Sequence, residues 1–318
     1  MGDENMQNRN AYKKIRSSLL LVLAAVIWGA TFVAQSSAMD HIEPFTFNSI
    51  RFLIGAIVLL PFIPELRRKR DPNKQTEILP LPAGKSRTWL IVGSMLCGAA
   101  LFTASSLQQT GIALGDSIGK AGFITSLYII LVPILGIFFK KRAGYLVWIS
   151  AAIALVGMYL LCVKQGFALE VSDILYLLCA FFFAIHILLI SVYAPYLSSC
   201  ALSAIQFATA AVLSGICMFI FETPDIHAIL AAYKPLLYAG IFACGIAYTL
   251  QVVGQRDLDP TIASLIMCLE SVVSVVSGAL ILHQTMTARE LIGCIVMLIA
   301  TVLALLPTKE IKKPHKNA

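Results

Sequence analysis

Charge is scarce in this sequence: 13% of its 318 residues are Asp, Glu, Lys or Arg, while 58% are hydrophobic. A soluble domain carries about 25% charged residues, so the chain cannot cover a water-soluble globule of its own size. It also lacks a long charged or Pro/Ser-rich linker, which argues against a tethered soluble domain. The eight cysteines include no CxxC pair, and they fall in or beside apolar runs. They read as small packing side chains, not as disulfide or metal ligands. No GxxxxGK[ST] motif is present, so the chain has no nucleotide-driven motor of its own. No HExxH and no carboxylate cluster at metal spacing point to an intramembrane enzyme, and no cofactor is expected. The first apolar run has no small-x-small cleavage site and reads as a span rather than a signal peptide. Met6 stands where a myristoylation signal wants Ser or Thr.

What the chain has is long apolar runs. About twenty residues cross a bilayer core as a helix, and lipid offers backbone groups no partner, so helices are the expected form. Ten runs qualify, at 17–37, 45–64, 88–109, 117–139, 145–163, 174–194, 202–221, 235–255, 260–282 and 289–307. The fold class is thus all-α, an integral membrane protein of ten transmembrane helices. Residues 1–16 form a polar tail, expected to be disordered, and 308–318 a basic one.

Basic residues set the orientation. Nineteen lie on one side: Arg9, Lys13, Lys14 and Arg16; Arg67, Arg68, Lys69, Arg70, Lys74, Lys85 and Arg87; Lys140, Lys141 and Arg142; Arg256; and Lys309, Lys312, Lys313 and Lys316. The other side holds Lys164, Lys234 and Arg289. The positive-inside rule places both termini in the cytoplasm, and two cytoplasmic ends require an even number of spans. Topology therefore accounts for the net charge of +7, and no nucleic-acid partner is expected.

The chain also repeats itself. FNSIRF (47–52) corresponds to LSAIQF (202–207), and the same offset sets Trp28 over Phe183 and Thr31 over His186. Later, SLQQTG (106–111) lies over TLQVVG (249–254), and AGFITSL (121–127) over ASLIMCL (263–269). Each half, 17–163 and 174–307, holds five spans. An odd number inverts the second half, giving two inverted five-helix repeats of a kind that recurs in transporters, with substrate bound between the halves near the midplane.

Polar residues inside spans are site candidates because they are costly in lipid. Trp28, Thr31 and Gln35 share one face of span one, either lining a cavity or forming a polar seam between helices. Arg51 lies near the outer end of span two, where it can snorkel, pair with a carbonyl or with Glu270, or meet substrate; its repeat counterpart is the neutral Gln206. Lys120 opens span four and either attracts an anionic substrate group or snorkels. His186 sits mid-span in span six, lining a cavity or bonding a neighbouring helix. Tyr248, Gln251 and Gln255 share a face of span eight, with Ser105 and Gln108 as counterparts in span three. Tyr128 corresponds to Glu270, the only acid well inside a span, which with Arg51 suits a gating or coupling role. Pro61 and Pro133 are expected to kink their helices, and Gly111, Gly115 and Gly119 to open span four to close contact.

The segments AAVIWGATFV, SIRFLIGAIVLLP, AGFITSLYIILVP and CLE, in this order over residues 17–307, resemble the EamA-type ten-helix branch of the drug/metabolite transporter superfamily. Ser271 replaces a common Pro and Gln284 a common Glu. The resemblance implies that spans one to four and six to nine surround a cavity, with spans five and ten peripheral. It implies a secondary transporter in the plasma membrane, an exporter of small metabolites such as amino acids or related amphipathic compounds, working by alternating access. Its partners are then a small-molecule substrate and membrane lipids, as a monomer or a membrane-embedded homodimer. The rival classes are an intramembrane enzyme or lipid-modifying protein, and a channel.

Cysteine labelling or reporter fusions are expected to place both tails, the Arg67–Arg87 loop and the Lys140–Arg142 loop in the cytoplasm. An external signal from either terminus would end the ten-span reading.

Overall fold

The computed structural model describes residues 2–66, 78–115, 118–139, 143–162, 170–281 and 287–306. Within these ranges the side chains of 2–10, 64–66, 118–120, 161–162 and 278–281 are outside the description. Most of the loop cations at 67–77 and 140–142, Lys164, Gln284 and the basic tail therefore also lie outside it.

The described residues are helical: α1 (Gly2–Met39), α2 (Pro44–Leu59), α3 (Arg87–Leu114), α4 (Ile118–Thr125), α5 (Tyr128–Gly136), α6 (Tyr145–Cys162), α7 (Val171–Tyr193), α8 (Ser199–Phe221), α9 (Ile226–Ala231), α10 (Tyr233–Leu237), α11 (Thr249–Gln255), α12 (Pro260–Met267), α13 (Leu269–Ile281) and α14 (Ala288–Leu305). A π-helical segment, Tyr238–Tyr248, joins α10 to α11. Among the described residues eight helical stretches are long and apolar enough to cross a membrane; Ala121–Gly136 and Tyr145–Leu160 are shorter apolar helices.

Polarity runs inside out. Leu53, Ile57, Val212, Ile216, Ile295 and Ile299 are exposed, while Asn48, Ser94, Gln109, His186 and Gln206 are fully buried. In water that pattern wastes the hydrophobic effect. In lipid it satisfies both faces, because polar groups must find partners within the protein. The chain is a multi-span, all-α membrane protein.

The structure corrects four local expectations. The polar N-terminal stretch continues α1 as helix from Gly2 instead of being disordered. Gly111 belongs to α3, where it lets Tyr176 of α7 approach, and Gly115 caps α3 with extended backbone. Pro133 stays inside α5, and the interruption falls upstream of it, where Leu127 N–H bonds Ile124 O and Ile129 N–H bonds Ser126 O. The second interruption, where Ser271 N–H bonds Cys268 O, has no proline near it. The common factor is contact between the two breaks. Ser126 Oγ lies 3.1 Å from Ser271 Oγ, and Cys268 Sγ donates to Ser126 O at 3.7 Å. Pro61, by contrast, acts as expected: α2 gives way at Leu60 to a tighter 3-10 turn.

Glycines permit the closest crossings. A Cβ on Gly29 of α1 would stand 2.7 Å from Glu270 O and 2.6 Å from Val273 Cβ of α13. One on Gly98 of α3 would stand 2.6 Å from Gln206 O of α8. Such backbone proximity, with small residues at the contact, is how membrane helices pack without a hydrophobic drive. At one end of the bundle Glu222, just past α8, caps α2: it accepts from Phe45 N at 2.6 Å, Thr46 N at 2.7 Å and Thr46 Oγ1 at 2.7 Å. These amides would otherwise be orphans of a helix N-terminus.

Gly29→Ala is expected to lower stability by roughly 1–3 kcal/mol, because its Cβ meets backbone that cannot step aside. Gly122→Ala, whose Cβ would find only Ser271 Oγ at 3.9 Å, is expected to stay within about 0.5 kcal/mol of the parent. Reversible unfolding in mixed micelles measures both. Equal stability of Gly29→Ala and the parent would show that the α1–α13 crossing is looser than described.

Candidate functional site

A cavity of about 50 Å³ lies at the centre of the bundle. A single water needs about 10–15 Å³ on this scale, so the cavity holds a few waters in this conformation. Its walls come from α1 (Trp28, Thr31, Phe32, Gln35), α2 (Arg51), α3 (Gln108), α5 (Tyr128), α7 (Phe183, His186, Ile187), the π segment (Ala243, Tyr248), α11 (Gln251) and the α12–α13 junction (Met267, Glu270). Helices α6, α8 and α14 supply no wall residue; α6 packs on α14 instead. That peripheral place suits the plain apolar character of both helices. Helix α8 was expected among the walls and contributes only from behind, through Gln206.

The sequence candidates Trp28, Thr31, Gln35, Arg51, Gln108, Tyr128, His186, Tyr248, Gln251 and Glu270 thus come together around one space. The side chain of Lys120 lies outside the described residues. Gln255, though on the face of Tyr248 and Gln251, turns away and donates to Ile187 O at 3.4 Å.

One wall is aromatic. Trp28 meets Tyr248 edge-on, with ring centroids 4.7 Å apart, and its Nε1 donates to Ala243 O at 3.3 Å. Tyr248 in turn touches Phe207 and His186 edge-on, at 5.8 and 6.0 Å. The Ala243 carbonyl belongs to the π segment. Such wide turns are rare and recur at functional sites.

A second wall is a glutamine cluster. Gln35 Nε2 donates to Gln108 Oε1 at 3.3 Å and to Gln109 Oε1 at 3.0 Å, and Gln109 Nε2 returns a bond to Gln35 O at 3.2 Å. Thr31 Oγ1 donates to Ile27 O within its own helix at 2.8 Å. Where the two interrupted helices cross, Tyr128 OH donates to Glu270 Oε1 at 3.4 Å.

His186 is fully buried, with Nε2 3.0 Å from Gln206 Oε1. With the amide oxygen as acceptor, Nε2–H donates and Nδ1 keeps a lone pair. Both alternatives read from the sequence coexist: His186 bonds a neighbouring helix through one nitrogen and lines the cavity. His186 Nδ1, Gln251 Oε1 and Arg51 Nε are buried without a hydrogen-bond partner.

Arg51 does not snorkel. It is 3% exposed, and its guanidinium carbon lies 5.1 Å from the Phe47 ring centroid and 4.8 Å from that of Phe52. Cation–π contact is worth about 2 kcal/mol when desolvated. Burying a charge costs several kcal/mol, so the rings offset only part of it. Arg51 and Glu270 line the same cavity without forming an ion pair.

The wall residues that the sequence reading passed over are apolar: Phe32, Ile187, Ala243 and Met267. Helices in lipid are apolar on every face, so hydropathy cannot distinguish a cavity wall from a lipid-facing one. Gln109 was legible only as the neighbour of Gln108. One stretch, Gly115–Gly119, fits GxSxG by spacing, but a nucleophile elbow needs a strand leading into a helix. Here the stretch links α3 to α4, and Ser117 lies outside the described residues.

Residues 15–163 and 171–306 each match the EamA-like transporter family. An uncharacterized transporter of Archaeoglobus fulgidus is 28% identical over 297 residues, spanning 92% of this chain and 86% of that one. The uncharacterized transporter YwfM of Bacillus subtilis is 32% identical over 146 residues, 45% of this chain and 44% of its own. A crystal structure of a protein shares the fold with a TM-score of 0.72 at 18% identity, covering 91% of this chain and 96% of that one. These matches make the chain a membrane transporter and not an enzyme, and it belongs to the EamA-like transporter family.

Proposed function

We propose that this transporter is a secondary carrier, an exporter of small metabolites such as amino acids or related amphipathic compounds, working by alternating access between two inverted five-helix halves, 17–163 and 174–307. One observation carries the reading. Four pairs of wall residues stand at the offsets by which the sequence repeats: Trp28 and Phe183, Thr31 and His186, Phe32 and Ile187, and Gln108 and Gln251. Tyr128 and Glu270, a fifth pair, bond each other across the cavity. Equivalent positions facing one space are what a pseudo-two-fold axis through that space produces, and such an axis is where carriers built of repeats bind substrate.

Packing supports the same relation. The Cβ direction of Gly111 faces Tyr176 and that of Gly254 faces Leu21. Both glycines and both partners are related by the repeat. The family match in two consecutive segments supports the division into halves. Eight long helices and two shorter apolar ones account for ten spans, with both termini cytoplasmic in the plasma membrane and a monomer sufficient for transport.

In this reading Trp28, Thr31, Gln35, Gln108, Tyr128, His186, Tyr248 and Gln251 contact substrate, Lys120 attracts its anionic groups, and Glu270 gates through Tyr128. The aromatic wall gives contact area, and a few amide, hydroxyl and imidazole groups orient the ligand, the usual makeup of a small-molecule pocket.

Purified protein in liposomes is expected to catalyse counterflow at carrier rates. His186→Ala and Gln251→Ala are each expected to weaken substrate binding about ten- to a hundredfold, the worth of one good hydrogen bond, ~1–3 kcal/mol. Glu270→Gln is expected to slow transport with binding nearly intact. Parent-like binding by both alanine variants in folded preparations would remove the assignment. Turnover without flux would mark an enzyme, and rates far above cycling a channel.

A further inference from the structure

Five pairs of wall positions obey the repeat, so the departures from it show where an asymmetric ligand is read. The sharpest concerns charge. Arg51 and Gln206 occupy corresponding positions, in FNSIRF and LSAIQF. Gln206 is spent on His186, which it meets at 3.0 Å. The corresponding partner of Arg51 is Thr31, whose hydroxyl proton goes to Ile27 O. Arg51 therefore lines the cavity 97% buried with no ion pair to a described carboxylate and its Nε donating to no described residue, against the rings of Phe47 and Phe52. A buried charge kept without a counter-ion marks a site that waits for one.

We propose that Arg51 binds an anionic group of the transported molecule, and that this group is a carboxylate. A guanidinium presents paired N–H donors that match a carboxylate's two oxygens. A phosphate dianion fits less well, since Arg51 is the one cation lining the cavity among the described residues, and Glu270 shares the space. Two wall residues of the same cavity also carry buried acceptors without a partner, His186 Nδ1 and Gln251 Oε1, which N–H donors on a ligand would match. Its substrate is thus a small carboxylic acid that also bears an amine or similar donor. Arg51 sets this specificity, and an ammonium compound without the acid is rejected by like charge. The inference rests on the cavity being the transport site.

The experiment uses matched compounds on the full chain. L-alanine, L-valine and L-phenylalanine are compared with ethylamine, isobutylamine and phenethylamine, which lack the carboxylate, and with propionate, isovalerate and hydrocinnamate, which lack the amine. Binding is read by ligand-induced thermal shift in detergent and transport by counterflow in liposomes. In at least one set the amino acid is expected to bind best, the acid next and the amine at least tenfold more weakly than the acid. Arg51→Gln is expected to abolish the preference for acid over amine, and Arg51→Lys to restore part of it. An amine that binds as well as its acid in the parent protein overturns the proposal, as does failure of every carboxylate to bind. The parent comparison decides this even if Arg51→Gln does not fold. Arg51-dependent binding without counterflow keeps the anion site and removes the carrier reading. Counterflow indifferent to the carboxylate does the reverse.

Discussion

Lipid offers no hydrogen bond, and the structure follows from that constraint. Backbone groups close on themselves as helices, and side-chain polar groups must find partners inside the bundle. Some do so pairwise between helices: Gln35 with Gln109, Tyr128 with Glu270, His186 with Gln206. Others turn back on their own helix, as Ser94 Oγ does to Leu90 O and Thr301 Oγ1 to Met297 O. Of those that do neither, Arg51 Nε, His186 Nδ1 and Gln251 Oε1 belong to residues of the cavity wall, while others such as those of Asn48 and Ser150 lie elsewhere in the bundle.

The cavity exists because helices that approach closely elsewhere part there. Gly29 and Gly98 bring α1 onto α13 and α3 onto α8. Side chains larger than a hydrogen at those positions would push the walls apart. The interruptions at Leu127 and Cys268 turn short lengths of helix across one another, so that Ser126, Ser271, Tyr128 and Glu270 meet at the crossing. A continuous helix would carry Tyr128 and Glu270 past each other on fixed faces.

The walls combine repetition with difference. Trp28 against Phe183 keeps an aromatic on both sides, and Gln108 against Gln251 keeps an amide. Thr31 against His186 and Tyr128 against Glu270 do not keep the chemistry, nor does Arg51 against Gln206, which lies behind the wall.

Several features were legible before any coordinates: the all-helical membrane class, the approximate spans, and the gathering of Trp28, Thr31, Gln35, His186, Tyr248 and Gln251. The reason is that polar residues in an apolar run are rare and helical periodicity assigns them a face. The family was legible because ordered motifs such as AAVIWGATFV survive in the chain. Other features needed the fold. Arg51 reads equally well as a snorkelling or an inward residue, since depth along a span does not say which way a side chain leaves it. Only packing against Phe47 and Phe52 decided that. Pro133 signals a break, yet the break sits at Leu127, because helix–helix contact and not local propensity chose the place. Sequence by itself determined that the long apolar segments are membrane helices and which residues are polar within them, all properties of a residue and its near neighbours. Tertiary structure alone decided which of those polar groups are partnered, because the partner of a buried atom comes from a helix distant in sequence.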